Sequence, residues 1–258
     1  MRKTNQGCDL HEIVGSLCGQ SRLRPRCRAG RGRPAGALQR AGRGRSDALC
    51  RSAAPDQSGD QPACALPDAA ACGDFLYTQE EIDLLCRQIT ALRAAGADGF
   101  VIGALTPAGD LDLPAMRALL DACGGAPVTL HRCIDVSRDL CGTYRAAAAL
   151  GIDTVLTSGG AENCRKGTAQ LAALLRLRDT LNGPEILIGA GVSAAVIDEL
   201  RAALPGARAF HASCKKLLAS GMAFRREGVP MGLPGLDEWH IQQTDAEAVR
   251  AAKDAVMR

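Results

Sequence analysis

From residue 74 onward, short apolar runs alternate with stretches whose apolar residues recur at helical spacing. Residues 77–95 open with Thr78 and, three positions on, Glu81, and then place Ile82, Leu84, Leu85, Ile89 and Leu92 near one helical face. A buried strand is predicted over 99–105 (GFVIGAL), a helix over 114–123, and a strand over 127–133 (PVTLHRC). The pattern repeats with a helix over 140–150 and a strand over 154–157, then a helix over 168–181 and a strand over 185–189 (EILIG). A helix over 194–204 and a strand over 207–212 (ARAFHA) complete it.

Five strands separated by helices, with no hairpin signal between them, predict a parallel sheet buried on both faces. Every strand closes on small or polar residues, as in HRCIDVS, TSGG, GAGV and HASC. A doubly wound sheet gathers its site at one switch point, whereas a barrel gathers it at the carboxyl end of every strand. The fold class expected is therefore α/β, a (β/α)8 TIM barrel.

The segment before residue 74 reads differently. Across 15–73 there is no Val, Ile, Met, Phe, Tyr, Trp, Lys, Glu, Asn, Thr or His. Without strand-forming side chains, and broken by Gly and Pro throughout, it cannot bury enough apolar surface to offset its ordering entropy. Residues 1–73 are thus expected not to fold natively, 74–225 to form the barrel portion, and 226–258 to be a loop followed by a helix. Five β/α units cannot close an eight-stranded barrel, so an insoluble or partly folded product is expected.

Charge follows the same division. Of the 31 Lys+Arg and 28 Asp+Glu, residues 1–73 hold twelve and six, net +6, which leaves 19 and 22, net −3, for the rest. The arginines of the arm could meet phosphates, but no aromatic is interleaved for stacking, so nucleic acid is not expected as a partner. No apolar stretch suits a membrane span or a secretory signal, and a cytoplasmic, membrane-free protein is expected. Twelve cysteines with no C-x-x-C pattern predict buried or free thiols rather than disulfides.

His131, Arg132 and Asp135 follow the 127–133 strand and offer a base, an anion-binding cation and a carboxylate to orient either. Strand alternation places His131 and Cys133 on one face and Arg132 on the other. His211 ends the last strand and supplies a second histidine to the same mouth. These four are the candidate catalytic residues. The turns at Thr157, Ser158 and Gly159, and at Gly189 and Gly191, are candidate ligand-binding segments whose amides could meet an oxyanion or phosphate. Each has a plainer reading: an ion pair with a satisfied histidine, and glycines that permit tight turns. Cys133 and Cys214 lie near strand ends, while Cys86, Cys123, Cys141 and Cys164 fall on helices or turns. Trp239 and His240 are expected to pin the C-terminal segment by packing, and homo-oligomerisation is left open.

The segments GADGFVIGALTPAGDLDLPAMRALL, VTLHRCIDV, DTVLTSGG, ILIGAGV and ARAFHASC resemble the CutC family of copper homeostasis proteins, which are (β/α)8 barrels. The resemblance covers about 73–225. It implies that the five strands are the last five of eight, that the first three lie within 1–73, and that Cu(I) is bound, with no established catalytic activity. The family's copper-associated cysteine lies in the second-strand region, where this sequence has Leu38 and Gln39. The metal ligands are therefore unknown from the sequence. The alternative function is a barrel enzyme acting on a small phosphorylated or carboxylated ligand; the partner expected is a copper ion or such an anion.

The odd segment is compatible with a displaced reading frame. Shifted by one base, codons for 33–50 permit D-R-L-E-L-C-S-A-L-A-E-G-G-L-T-P-S, similar to the family's second strand and turn. Codons for 64–72 permit V-H-S-L-M-R-P-R, similar to its third strand, which then runs into Gly73, Asp74 and Phe75 in the frame as written. A frameshift starting near 15–18 and compensated near Cys72 is the expected origin of the segment.

Overall fold

The computed structural model describes residues 74–226, 228–229 and 239–258, together with the backbone of a two-residue strand at 64–65. The other residues of the 1–73 segment, including Leu38 and Gln39, lie outside the described part. Its elements are β1 (Cys64–Ala65), α1 (Gln79–Ala94), β2 (Gly99–Ile102), α2 (Leu113–Cys123), β3 (Val128–Leu130), a 3-10 turn (Arg132–Val136) and α3 (Leu140–Ala149). They continue with β4 (Thr154–Thr157), α4 (Thr168–Leu181), β5 (Glu185–Ile188), α5 (Ala194–Ala203), β6 (Ala209–Phe210), β7 (Lys215–Ala219), β8 (His240–Thr244) and α6 (Ala246–Met257).

Local chemistry sets most helix ends. Thr78 and Glu81 form the predicted capping box, with Thr78 Oγ1 accepting from Glu81 N and Glu81 Oε2 from Thr78 N at 2.8 Å. Asp112 caps α2 by accepting from Ala115 N at 3.0 Å, Pro114 sits in its first turn, and Gly124 closes it in the left-handed conformation. Ser193 and Asp245 cap α5 and α6 in the same way.

Strands β1 to β6 form one sheet in sequential order, every pair parallel. A doubly wound sheet must reverse its strand order at a switch point. This one does not, so the strands advance around a barrel wall with helices outside. Within the segment expected to make no strand, Cys64 and Ala65 pair with Gly99 and Phe100. Such pairing needs only backbone groups, which any sequence carries. All four residues of β4 are buried, as a sheet covered on both faces requires.

The core packs Phe100, Leu130, Val155, Ile186, Ile188 and Phe210 of the sheet against Ile89, Met116, Leu119, Tyr144, Leu171, Leu174 and Ile197 of the helices. Each large apolar side chain buried this way contributes about 1.5–3 kcal/mol. At the amino ends of the strands, buried Arg178 donates to Asp179 Oδ1 (2.9 Å), Glu185 Oε1 (2.8 Å) and Gly206 O (2.9 Å). Arg208 completes the network on Glu185 Oε2 at 2.7 Å. Charges at that end tie helix to sheet; in this architecture the chemistry belongs at the other.

The strands expected over 99–105 and 207–212 are shortened to Gly99–Ile102 and Ala209–Phe210, and two larger features depart from the sequence reading. The strand expected over 127–133 ends at Leu130, because His131 caps the 3-10 turn that follows. The stretch expected to begin as a loop includes β8, which pairs antiparallel with β7 from Lys215↔Thr244 to Ala219↔His240. That ladder is extended by Asp245 N donating to Cys214 O and Ser220 N to Trp239 O. Trp239 is met by Arg225, whose guanidinium lies 4.7 Å from the ring centroid. Helix α6 docks on α5 through buried Ala252 and Ala255, an Arg258–Asp198 ion pair at 2.8 Å, and Arg201 donating to Ala255 O and Val256 O.

Candidate ligand site at the carboxyl ends of the strands

The turn after β3 and the turn after β4 meet at Asp135. Its side chain is only 4% exposed, and a carboxylate buried to that extent needs its lone pairs filled. Thr157 Oγ1 donates to Oδ1 at 2.5 Å, Gly160 N to Oδ1 at 3.0 Å, and Ser158 N to both oxygens at 3.0 Å. Arg132 Nε donates to Oδ2 at 2.6 Å. Ser158 Oγ lies 3.0 Å from Oδ2 and 2.6 Å from Ala161 O, and its single proton can serve one of the two.

Of the amides expected to receive an external oxyanion at this turn, Ser158 N and Gly160 N are thus engaged by the protein's own carboxylate, and Gly159 N donates to Thr157 Oγ1 at 2.9 Å. Gly159 and Gly160, with φ of 78° and 66°, give the backbone the left-handed path that wraps it around Asp135. A Cβ on Gly159 would also lie 2.5 Å from Gly167 O. With its acceptors filled, the Asp135 carboxylate is placed to orient the groups around it.

What Asp135 orients is Arg132. The guanidinium gives Nε to Asp135 and Nη2 to Ser158 Oγ (2.8 Å) and Ala161 O (3.4 Å), while 41% of the side chain stays exposed. The bend after Leu130 answers the alternation argument, since Arg132 reaches its partners from the 3-10 turn and not from a continuing strand.

On the other flank of this turn, His131 Nδ1 accepts from Cys133 N at 3.2 Å, which folds the imidazole back over its own turn. Because Nδ1 accepts, the neutral ring carries its proton on Nε2. The ring lies 4.6 Å from that of Phe75, and burial pushes the His131 pKa down to about 4. Phe75 itself has φ of 63°, a strained conformation for an aromatic residue. The Cys133 side chain is fully buried, and burial pushes its thiol well up. Both residues press on Gly103, just beyond β2. A Cβ there would lie 2.5 Å from Cys133 Sγ, 2.6 Å from His131 Cε1 and 2.8 Å from Nδ1.

His211 stands apart from this cluster. It follows β6, with β4 and β5 between it and β3, and burial lowers its pKa. Gly189 lies beside it: a Cβ on Gly189 would meet His211 Cβ at 3.7 Å and Leu156 Cδ1 at 2.7 Å. Gly191 faces Asn163 instead. The structure therefore brings together Arg132, Asp135, Thr157, Ser158 and Gly159, and places His131 beside them through the shared turn. Gly189 and Gly191 follow the next strand, β5, where Gly189 N donates to Thr157 O at 2.9 Å, and His211 lies one strand further still, after β6.

The sequence reading did not single out Gly103, and it met Phe75 only as the end of the family-like third-strand motif. A glycine closing an apolar strand, as in GFVIGAL, was the available signal for the first. The contact of Phe75 with His131, far along the chain, has no local signal. Among the described residues no three His, Cys, Asp or Glu side chains converge as a metal-holding group. No helix among them is long and apolar enough to cross a membrane.

A model of the CutC family matches residues 36–216, beginning within the restricted-alphabet segment. A CutC family protein of Chromobacterium violaceum is 40% identical over 185 residues, covering 71% of this chain and 73% of that protein. One from Xanthomonas campestris pv. campestris (strain 8004) is 44% identical over 148 residues, and the match spans 57% of this chain and 60% of the relative. Among solved structures, one named for copper homeostasis, that of CutC from Streptococcus agalactiae, superposes with a TM-score of 0.54 at 24% identity. It covers 58% of this chain and 71% of that one, and shows the same fold.

Proposed function

The chain belongs to the CutC family, and from that membership we propose that it acts in copper homeostasis, taking copper as Cu(I) cargo in the cytoplasm. The observation that carries this reading is the family match over 36–216, joined to the chemistry of the donors available. Cu(I) prefers thiolate and imidazole to carboxylate. The six free cysteines of the described residues suit a reducing compartment, and Cys133 lies against His131 at the carboxyl end of the sheet. Asp135 and Arg132 supply structure to that end rather than soft ligands.

The test is a titration of the full chain with Cu(I) under anaerobic conditions, in competition with a chromophoric Cu(I) chelator. At least one equivalent withdrawn from the chelator is expected. A chain that withdraws none does not handle copper.

A second reading is supported by one observation. The part of the Arg132 guanidinium not held by Asp135, Ser158 and Ala161 faces outward, where a small phosphorylated or carboxylated ligand would find it. Inorganic phosphate that protects the chain against thermal unfolding, and ceases to do so in Arg132→Met, would favour this reading over copper.

A further inference from the structure

We infer that the outer edge of β7 is a self-association surface, on which two copies of the chain pair their β7 strands antiparallel about a two-fold axis at Leu217. Two ribbons thereby become one four-stranded sheet. Neither copper nor an anion is needed for it.

In an antiparallel pair, residues bonded to the facing strand alternate with residues whose N–H and C=O point away from it. Asp245 N donates to Cys214 O and Ser220 N to Trp239 O, which puts Cys214, Lys216, Leu218 and Ser220 on the bonded side of β7. The backbone groups of Lys215, Leu217 and Ala219 therefore point outward, and among the described residues no third strand meets them. An axis at Leu217 sets Leu217 opposite Leu217 of the partner subunit and Lys215 opposite Ala219 of the partner subunit, so every outward residue exchanges its bonds. An axis at Lys216 would set like charges opposite each other, which is destabilising.

Edge strands are commonly guarded by charged side chains, lysine above all. Strand β7 carries Lys215 and Lys216, but both ammonium groups are drawn back over β8. Lys215 Nζ donates to Gln242 Oε1 at 3.1 Å, and Lys216 Nζ pairs with Asp245 Oδ1 at 3.0 Å. The edge is left clear, with Leu217, 65% exposed, at its centre.

The ribbon also lacks cover. All of β7, and all of β8 but Thr244, is exposed, and a lone two-stranded ribbon gains little stability in water. Among the described residues, the large apolar side chains left exposed include Leu217, Leu218, Met222, Phe224, Val229 and Ile241 within this one segment, whereas Leu76, Leu113, Val136, Leu181 and Met257 are scattered singly. A second copy brings the same apolar set. Leu218, which pairs with Ile241 across the ribbon, gains the aliphatic stem of the partner subunit's Lys216. A symmetric pairing asks for no residue beyond those one chain carries, and the axis that joins the leucines also separates the lysines.

The experiment is sedimentation velocity of the full chain over about a hundredfold range of concentration, for wild type, L217P, L217K and the control L181K. L217P removes an outward N–H and no bond of the β7–β8 ladder, so each ribbon stays intact. Wild type should pass from monomer to dimer, with a dissociation constant raised at least about tenfold in L217P and L217K and unchanged in L181K. In wild type, the amides of Lys215, Leu217 and Ala219 should exchange with deuterium more slowly at high concentration than at low. A dimer that L217P and L217K leave as tight as wild type is held elsewhere and overturns the pairing, as does a dimer whose outward amides exchange like the monomer's. A wild type that stays monomeric overturns it too, and if that monomer sediments with vesicles of phosphatidylcholine and phosphatidylserine, the ribbon belongs to a lipid surface instead. Should a variant fail to fold, the exchange of the wild-type amides still decides.

Discussion

Arg132 and Asp135 pair at 2.6 Å across one turn, yet the two ends of the pair lie in different media: 41% of the arginine side chain is exposed against 4% of the aspartate. The carboxylate belongs to the core and the cation to the mouth. Asp135 is further held by groups of Thr157, Ser158 and Gly160, so the pair ties the turn after β3 to the turn after β4. One buried acceptor thereby fixes two of the loops that shape the carboxyl face.

Asp135→Ala should therefore be destabilising well beyond a surface pair. Donors from buried Thr157 and Ser158 would lose their acceptor, as would the exposed Gly160 amide, at a cost of about 2–4 kcal/mol after allowing for the exposed arginine. Arg132→Met removes one donor of several and should cost less than half as much. Urea denaturation of the two variants beside wild type checks the ratio, and equal losses would show that the arginine, not the amides, dominates.

The amino-end network should affect stability alone. Arg178→Leu leaves Glu185 and Gly206 O short of a donor, with an expected loss of about 2–4 kcal/mol. Its affinity for Cu(I) relative to wild type should not change, because Arg178 stands at the end of the sheet opposite His131 and Cys133. Parallel denaturation and chelator competition would separate the two effects.

The metal-free chain should lose stability in acid through His131. Its folded pKa of about 4 lies below the ordinary histidine value of 6.5 because burial disfavours the cation. Between those values the unfolded chain binds a proton that the folded one refuses, so stability is full above about pH 6.5 and falls as pH drops toward 4. The loss is on the order of 3 kcal/mol by linkage. Folding free energies measured from pH 7 to 4 should slope less steeply in His131→Asn, and parallel curves would remove His131 as the cause.

Thiol reactivity should divide the six cysteines of the described residues by environment. Cys133 and Cys164 are fully buried with thiols pushed up, and burial holds Cys123 near 11, whereas Cys141 is only half-buried. Iodoacetamide at neutral pH, read by peptide mass spectrometry, should modify Cys141 before the other three. Early labelling of Cys133 would mean that its turn opens readily.

The coding nucleotides provide a separate check on the N-terminal segment. Codons for 33–50 and 64–72 that read, one base displaced, as the family-like strings would account for the alphabet of 15–73. Codons incompatible with those strings would rule the frameshift out.

Much of the architecture was legible from one dimension. The helix over 168–181 and the strand over 154–157 form as read, and the capping box at Thr78 starts α1 where its side chains dictate. Small and polar residues after each apolar run located the face where Arg132, Asp135, Thr157 and Ser158 meet. These features depend on neighbours within a few positions, where spacing and side-chain type already fix which hydrogen bonds can form. The pairing of β7 with β8 was not legible, because KKLLA finds its partner more than twenty residues on and carries no alternation of its own. Nor was the capture of the Ser158 and Gly160 amides by Asp135, or the convergence of His131 and Cys133 on Gly103. In those cases the chain offers several acceptors for the same donors, and only packing the sheet brings one of them within 3 Å. The sequence by itself determined the order of elements and the end of the sheet that bears the chemistry; tertiary contact decided which groups meet there, because a buried polar group takes whichever partner the fold delivers.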